Sequence, residues 1–337
     1  MEEKNNSVKE IWDKIEKSNK FLLTLHPYPD GDSLGSCSAM KRLLQDKGKQ
    51  VDLISRDPID ENFHDLDFTK EVDFSKGVEE IDDSNYDCIM FLDHGNFGEY
   101  YYNKETVDKL SGDSRVINID HHSSNPYFGE LNYVEPGAIS NCTVLLKLFR
   151  LMGEEIDADL AERLLVGIVT DSRFFSFGDS ERLFSDVSFL CGRGADFKGK
   201  ILRTLKENIP YKMKKLEGET LGNFDVKEIN GKKIAYSYIR KEFIEKYQLS
   251  MAEIRRGIAN LRDVGGTTIY FTLSEVEKGL KGSLRVKSGF EGDVDVLEIA
   301  KELGGGGHRK AAAFIIEDYS NIEEALERVF EAISKHL

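Results

Sequence analysis

The sequence predicts a two-domain α/β protein. A first domain over residues 1–194 has a mainly parallel sheet flanked by helices, a helical linker spans 195–218, and a smaller α+β domain spans 219–337. Three observations carry this expectation. The first half repeats one pattern, a short and almost wholly apolar run that stops on an acid or an imidazole: 21–25 before His26, 88–92 before Asp93, and 116–119 before Asp120. Runs of this kind mark strands buried on both faces, as parallel strands are. Helical apolar periodicity alternates with these runs, and after a basic helical stretch the pattern changes to short strands mixed with helices. Finally, 337 residues exceed what one hydrophobic core usually holds.

In order, residues 7–20 read as a helix, with Ser7 as N-cap, Glu10 at the capping-box position, and Ile11, Trp12 and Ile15 on one face. A strand at 21–25 delivers His26. Pro27 and Pro29 stiffen the loop that follows, Gly31 lets it turn, and a helix from Ser33 carries Leu34, Cys37, Met40, Leu43 and Leu44 to a stop near Gly48. A strand at 51–55 completes a βαβ unit. Residues 56–87 are acidic and weakly periodic and are expected as short helices and loops. Strands at 88–92 and 116–119 follow, separated by a poorly patterned stretch holding Tyr100, Tyr101 and Tyr102. Helices are expected at 142–152 and at 159–169, the second opening on an Asp cap and ending near Asp171. In the second domain the pattern gives strands at 224–228, 233–238, 267–273, 282–287 and 312–316, with helices near 241–246, 251–260, 295–303 and 322–335.

Composition narrows the function. Apolar residues make up 40% and charged residues 32%, and the longest apolar runs are far too short to cross a bilayer. The polar opening of the chain lacks a basic segment followed by an apolar one, so a cytoplasmic protein without a membrane partner is expected. Cys37, Cys88, Cys142 and Cys191 are scattered without CxxC pairing, against both a zinc ribbon and a disulfide framework. A net charge of −15 argues against a surface that grips long nucleic acid by its phosphates. From Glu217 onward 18 Lys+Arg nearly balance 21 Asp+Glu, so the acidity sits in the half that holds the strand-end acids.

Five of the seven histidines, His26, His94, His121, His122 and His308, lie in motifs. Taken singly, each such residue has an ordinary structural reading. Asp30 and Asp32 would serve an Asx turn and a helix cap, and Asp171 would be a helix-terminal acid, a poor placement beside the negative end of the dipole unless a cation is near. Together, His26 with Asp30 and Asp32, then Asp93, then Asp120-His121-His122, then Asp171 point to bound metal ions. Carboxylates and imidazoles with few sulfurs suit Mn2+ or Mg2+, with Fe2+ and Co2+ as alternatives, over structural zinc. Two such ions need a carboxylate between them, and they activate a water in line with phosphorus, which is the chemistry of phosphoester hydrolysis. In the second domain the four glycines 304–307, followed by His308 and Arg309, read as a flexible loop of close approach able to cradle a phosphate, with a plain turn as the alternative. Arg262 is a further candidate phosphate contact, because a guanidinium engages two phosphate oxygens at once.

His26-x3-Asp30-Gly-Asp32-Ser-Leu-Gly-Ser36, Asp93, Asp120-His121-His122 and Thr170-Asp171-Ser172 resemble, in order and separation, the four motifs of the DHH phosphoesterase superfamily. The glycine run with His308, Ala311 and Ala312 resembles the signature of its C-terminal DHHA1 domain. The resemblance covers essentially the whole chain. In length and layout it is similar to the NrnA-like branch of oligoribonucleases and 3′-phosphoadenosine-5′-phosphate (pAp) phosphatases, close to the phosphodiesterases of cyclic di-AMP or its linear product.

The resemblance implies one metal on His26, Asp30 and Asp93 and a second on Asp32, Asp93, His121 and Asp171, with Asp93 bridging. It implies that His122 faces the phosphate, stabilising charge or protonating the leaving oxygen, and that Asp120 orients an imidazole. Ser283 and Arg285 resemble the family's Ser-x-Arg element and, with Gly305, Gly306, Gly307 and His308, are the implied substrate contacts. One departure follows Asp93, where His94-Gly95-Asn96-Phe97-Gly98 replaces the family's small polar residues and frequent arginine. His94 is thus open as an extra ligand, a substrate contact or a loop residue.

The implied function is a Mn2+-dependent phosphodiesterase on very short oligoribonucleotides or dinucleotides such as 5′-pApA, with pAp as a further substrate. Its alternatives are a cyclic di-AMP phosphodiesterase, a family II-type inorganic pyrophosphatase, which lacks the glycine-rich element, and a non-catalytic nucleotide sensor. With no OB-fold segment or long basic tail, processive action on long DNA is not expected. A homodimer through the first domain is a family-level expectation.

Overall fold

The computed structural model describes residues 5–95, 97–98, 102–287, 289–290 and 294–337. Asn96, Tyr100, Tyr101 and the first four residues, on which parts of the sequence reading rest, lie outside them. The chain forms two compact units, Met1–Asn208 and Ile209–Leu337.

The first unit runs α1 (Val8–Lys17), β1 (Lys20–Thr24), α2 (Gly31–Asp46), β2 (Gln50–Ile54), β3 (Cys88–Leu92), α3 (Lys104–Leu110), β4 (Val116–Asp120), β5 (Leu131–Val134), α4 (Asn141–Met152), α5 (Ala158–Asp171) and α6 (Ser180–Gly192). A π-helical segment, Phe197–Glu207, closes it. The capping box at Ser7 and Glu10 forms, and Ile11, Trp12 and Ile15 are buried. Every residue of β3 and β4 is buried, as the unbroken apolar runs demand. The five strands are all parallel, in the order β2-β1-β3-β4-β5. All strand ends therefore open on one edge of the sheet, and the order reverses between β1 and β3. In open α/β sheets the crevice at that reversal is where ligands bind.

Some elements differ from expectation. Helix α2 begins at Gly31, two residues before Ser33, because Asp30 caps it with bonds from the N–H groups of Asp32 (3.0 Å) and Ser33 (3.1 Å). The cap of α5 is Asp157, which accepts from Leu160 N, whereas Asp159 pairs with Arg163 at 2.9 Å. Strand β5 and helices α3 and α6 were not anticipated, and residues 56–87 resolve into four short 3-10 turns. Among the described residues no helix is long and apolar enough to cross a membrane.

The second unit runs α7 (Tyr211–Gly222), β6 (Asp225–Ile229), β7 (Lys232–Ile239), α8 (Lys241–Tyr247), α9 (Met251–Arg256), β8 (Ile269–Val276), β9 (Gly279–Val286), α10 (Val296–Glu302), β10 (Gly306–His308), β11 (Ala311–Ile316) and α11 (Ile322–His336). Its six-stranded sheet has the order β10-β11-β9-β8-β7-β6, antiparallel except between β7 and β8. One face packs its core, with Phe271, Leu284, Phe314, Val329 and Ile333.

The glycine run corrects an expectation. Gly306 to His308 form an edge strand against β11 instead of a flexible loop. The close approach is real, but it is made to the chain itself. A Cβ on Gly305 would lie 2.1 Å from Ala313 O, and one on Gly307 2.6 Å from Ala312 Cα at a φ of +141°, whereas Gly306 faces open space.

Candidate metal centre and substrate face

The strand ends bring His26, Asp93 and His121 together, while the N-terminus of α2 and the C-terminus of α5 supply Asp30, Asp32 and Asp171. Close helix packing makes this convergence possible. A Cβ on Gly31 would meet the Thr170 side chain at 2.5 Å, and one on Gly167 would meet Cys142 Sγ at 2.3 Å and Asp32 Oδ1 at 2.4 Å. His26 Nε2 lies 3.6 Å from both Asp30 Oδ1 and Asp93 Oδ2. His121 Nε2 lies 3.3 Å from Asp93 Oδ1, 3.4 Å from Asp171 Oδ2 and 3.8 Å from Asp32 Oδ2. Ligand atoms of His26, Asp30 and Asp93 lie within 4.8 Å of one another, and so do those of Asp32, His121 and Asp171.

Hydrogen bonds sort the histidines. His26 Nδ1 donates to Pro27 O (2.9 Å) and His121 Nδ1 to Ala138 O (3.1 Å), so in both rings the Nε2 lone pair faces the carboxylates. A backbone carbonyl that fixes the tautomer in this way is the usual support of a metal-ligating imidazole. His94 is different. Its Nδ1 donates to Leu92 O (3.0 Å) and its Nε2 accepts from Tyr102 OH (2.9 Å), which leaves no nitrogen for a ligand. Burial lowers its pKa to about 3 and keeps it neutral. Of the three roles open to His94, it fills that of a packed loop residue.

His122 forms a third class, at the solvent-open side of the site. Its Nδ1 donates to Asp120 Oδ1 at 2.9 Å, leaving Nε2 as the exposed nitrogen. Burial works to lower the imidazole pKa, but the Asp120 carboxylate outweighs it and raises the value above the ordinary one. Asp120 is wholly buried and its other oxygen accepts from Asn125 Nδ2 at 2.6 Å. Asn125 belongs to a buried chain of amides with Asn118 and Asn132.

The carboxylates are crowded. Burial, followed by the charges of Asp32, Asp30 and Asp171, pushes the Asp93 carboxyl well above the carboxylate range. Burial with Asp32 and Asp30 takes Asp171 up to about 9. Asp32 is also raised, chiefly by burial, although both of its oxygens accept backbone N–H bonds at the start of α4, from Asn141 (2.5 Å) and Cys142 (3.0 Å). Like charges this close resist ionising together unless cations join them. Asp93 Oδ1 and His121 Nε2 are buried with no hydrogen-bond partner. An all-oxygen and imidazole donor set with two such orphaned atoms fits divalent cations.

Several residues of the site were not singled out from sequence. The Asn141 amide, oriented to suit its neighbours, accepts from Asp93 N (3.1 Å) and Ser36 Oγ (3.2 Å) and donates to Ile119 O (3.2 Å). It thereby holds the backbone of Asp93, which sits at a φ of +65°. A Cβ on Gly95 would lie 2.5 Å from His122 Cγ, so the ring can lie against that loop only because residue 95 is glycine. After Asp171, three successive residues, Arg173, Phe174 and Phe175, have positive φ. The buried Ser172 braces this turn, its Oγ accepting from Phe175 N at 3.1 Å. Left-handed residues of this kind cost about 1 kcal/mol or more each and gather at functional sites. Nothing in the residue types of 173–175 signals the turn.

In the second unit, strand register puts Ser283 and Arg285 on one face of β9. Ala311 pairs with Arg285 on one side and His308 on the other, and Ala313 pairs likewise with Ser283 and Gly306. The alanines thus form a low floor between the Ser-x-Arg pair and the glycine strand. The charge of Arg255, on α9, bears on Arg285.

The sequence matches the model of the DHH family, N-terminal domain, over residues 20–168 and that of the DHHA1 domain over 231–335. It is 27% identical, over 99% of this chain and 95% of the relative, to the bifunctional oligoribonuclease and PAP phosphatase NrnA of Thermus thermophilus. It is 25% identical to the cyclic-di-AMP phosphodiesterase GdpP of Geobacillus thermodenitrificans, over 95% of this chain but 48% of that one. In fold it resembles an exopolyphosphatase-related protein from Bacteroides fragilis, with a TM-score of 0.83 at 22% identity over 97% and 95% of the two chains. It also resembles exonuclease RecJ bound to manganese, with a TM-score of 0.56 at 15% identity over 99% and 95%. With both domains present in order on an α/β scaffold shared with these proteins, the chain belongs to the DHH/DHHA1 phosphoester hydrolases.

Proposed function

We propose that the chain is a two-metal cytoplasmic phosphodiesterase that hydrolyses very short oligoribonucleotides, including 5′-pApA, to mononucleotides, and that it also dephosphorylates pAp. In this reading residues 1–194 carry the chemistry, 195–218 link, and 219–337 read the substrate. The observation that supports it most is the facing pair of orphaned buried atoms, Asp93 Oδ1 and His121 Nε2, 3.3 Å apart among crowded carboxylates at the sheet's reversal point. His26, Asp30 and Asp93 would hold one cation, and Asp32, Asp93, His121 and Asp171 the other. Mn2+ suits the donor set, and the manganese in the RecJ relative is consistent with it. Bound there, a pair of divalent cations supplies charge neutralisation at a phosphoryl group and lowers the pKa of an attacking water.

The chain's own residues do the rest. Asp120 fixes the tautomer of His122 and raises its pKa, favouring the protonated ring, so that Nε2–H is the general acid offered to the leaving oxygen. Asn125 and Gly95 set where that ring stands. Ser283, Arg285, Gly305, Gly306, Gly307 and His308, with Arg262 as an outlying contact, hold the non-reacting end of the substrate by its phosphate or base.

A cyclic dinucleotide is the second reading, favoured by the GdpP relative. The linear substrate is preferred because the NrnA relative matches along nearly its whole length while GdpP is matched over 48%. A product time course in Mn2+ on 5′-pApA, cyclic di-AMP, pAp and RNAs of graded length tests the choice. Faster hydrolysis of 5′-pApA than of cyclic di-AMP is expected, and the reverse order would replace the first reading by the second.

A further inference from the structure

Helix α5 ends in a hydrogen-bond pattern that calls for glycine and holds an arginine. The N–H of Arg173 donates to Thr170 O (2.9 Å) and that of Phe174 to Val169 O (2.8 Å), a closure in which the residue after the cap is left-handed and usually glycine. Arg173 occupies that position at a φ of +48°, and Phe174 and Phe175 continue at +54° and +69°. The turn then closes on one residue. Ser172 O accepts from the N–H groups of Ser176 (2.8 Å) and Phe177 (3.0 Å), beside the bond from Phe175 N to Ser172 Oγ. These bonds onto a buried serine pin a conformation that the residue types resist.

The side chains of the turn divide by position. Phe174 and Phe175 pack against the core of the first unit, and Phe175 meets Phe184 and Phe197 at ring separations of 5.9 and 5.6 Å. Arg173 and Phe177 are exposed, the guanidinium lying over the Phe177 ring at 4.6 Å from its centre. A ring against one face of a guanidinium steers its plane and leaves the edge N–H groups for an acceptor. The turn borders the candidate metal centre. Arg173 follows Asp171 by two residues, and its charge opposes the rise that burial, Asp32 and Asp30 impose on that carboxyl. A Cβ on Gly178 would lie 2.8 Å from Ile139 Cδ1, so the far end of the turn lies against the segment whose Ala138 O holds His121. A cation that only balances a helix terminus needs neither a planar fork nor a strained backbone. An oxyanion in a fixed place uses both.

We propose that Arg173 is a catalytic residue whose guanidinium donates to the non-bridging oxygens of the reacting phosphoryl group, with Phe177 setting its plane. The proposal rests on the hydrolytic reading of the metal centre and adds a group to it. As the water oxygen bonds to phosphorus and the bond to the leaving oxygen breaks, with His122 supplying the proton, Arg173 meets the charge on those oxygens. No bond forms to Arg173 itself. Arg173→Gly is the decisive variant, because glycine relieves the backbone while removing the side chain. Its kinetics on 5′-pApA and on bis(p-nitrophenyl) phosphate in Mn2+ are measured beside Mn2+ titration and thermal unfolding. The variant is expected to unfold at the wild-type temperature or up to about 2 °C above it. It is expected to bind Mn2+ as the wild type does and to lose about 10^2-fold in kcat on both diesters. Arg173→Lys, which keeps the charge without the fork, should fall between the two. Phe177→Ala should lower kcat about 2- to 5-fold. A near-wild-type kcat in Arg173→Gly overturns the assignment, and so does a loss matched by weaker Mn2+ binding or a lower unfolding temperature, which makes the residue structural. A wild type that hydrolyses bis(p-nitrophenyl) phosphate and no oligonucleotide overturns the oligonucleotide reading alone. One inactive on both overturns the hydrolytic reading and the role of Arg173 together.

Discussion

At the strand ends of the first sheet the polar groups are packed tight, and the two candidate ligand imidazoles, His26 and His121, are held by backbone carbonyls. On the face of the second sheet that carries Ser283 and Arg285 the polar groups stand apart beside a floor of Ala311, Ala313 and Gly306. The first region crowds carboxylates whose charge divalent cations would relieve, and the second presents Arg285 with no acid paired to it among the described residues. Chemistry needs atoms fixed to within tenths of an ångström, which burial and backbone bonds provide. Reading a short flexible substrate needs reach and shape, which small residues on a sheet provide. Substitutions in the first region should therefore act on rate and metal binding, and those in the second on substrate affinity.

The largest effect is expected at Asp93. Replacing it by alanine removes the carboxylate between the two proposed metal sets and costs several kcal/mol of barrier lowering, about 10^4-fold in kcat on 5′-pApA. His122→Ala should cost about 10^2- to 10^3-fold in kcat while leaving Mn2+ binding near wild type, the pattern of a lost general acid. A parallel loss of metal binding would make His122 a ligand instead. Asn125→Ala and Gly95→Ala act through the His122 ring, by loosening Asp120 and by displacing the ring, and each should lower kcat about 10- to 100-fold with KM little changed. Arg285→Ala, across the divide, should raise KM for 5′-pApA about 10-fold with kcat nearly intact. A kcat effect of the same size from Arg285 would erase the contrast between the regions.

The two regions were also unequally legible. His26, Asp93 and the Asp120-His121 pair each close a run of apolar residues that a buried strand explains, so those strand ends and their edge could be read directly, whereas Asp30, Asp32 and Asp171 stand at helix termini. Asn141 and Asn125 escaped because an asparagine carries its meaning only through its partners, and residue type does not name them: Asp93 N and Ser36 Oγ, distant in sequence, for one, and Asp120, five residues back across a turn, for the other. β5 escaped for a related reason. It is a short edge strand whose Asn132 is buried only because Asn118, Gly129 and Asn6 satisfy it. Helix α6 buries only Leu183 and Leu190 fully, too sparse a stripe to announce a helix. In the second unit, strand alternation located Ser283 and Arg285, but the glycine run read as a loop because four glycines signal close approach without saying to what. Here it is β11.

Binding of Mn2+ to metal-free wild type and to Asp93→Ala, followed by calorimetry and paired with hydrolysis of 5′-pApA in the same samples, tests the central claim most directly. Two ions per chain in the wild type, fewer in the variant, and hydrolysis that rises with occupancy and disappears with Asp93 are predicted. An Asp93→Ala protein that binds two ions or still hydrolyses 5′-pApA at the wild-type rate would contradict a metal pair joined at that carboxylate.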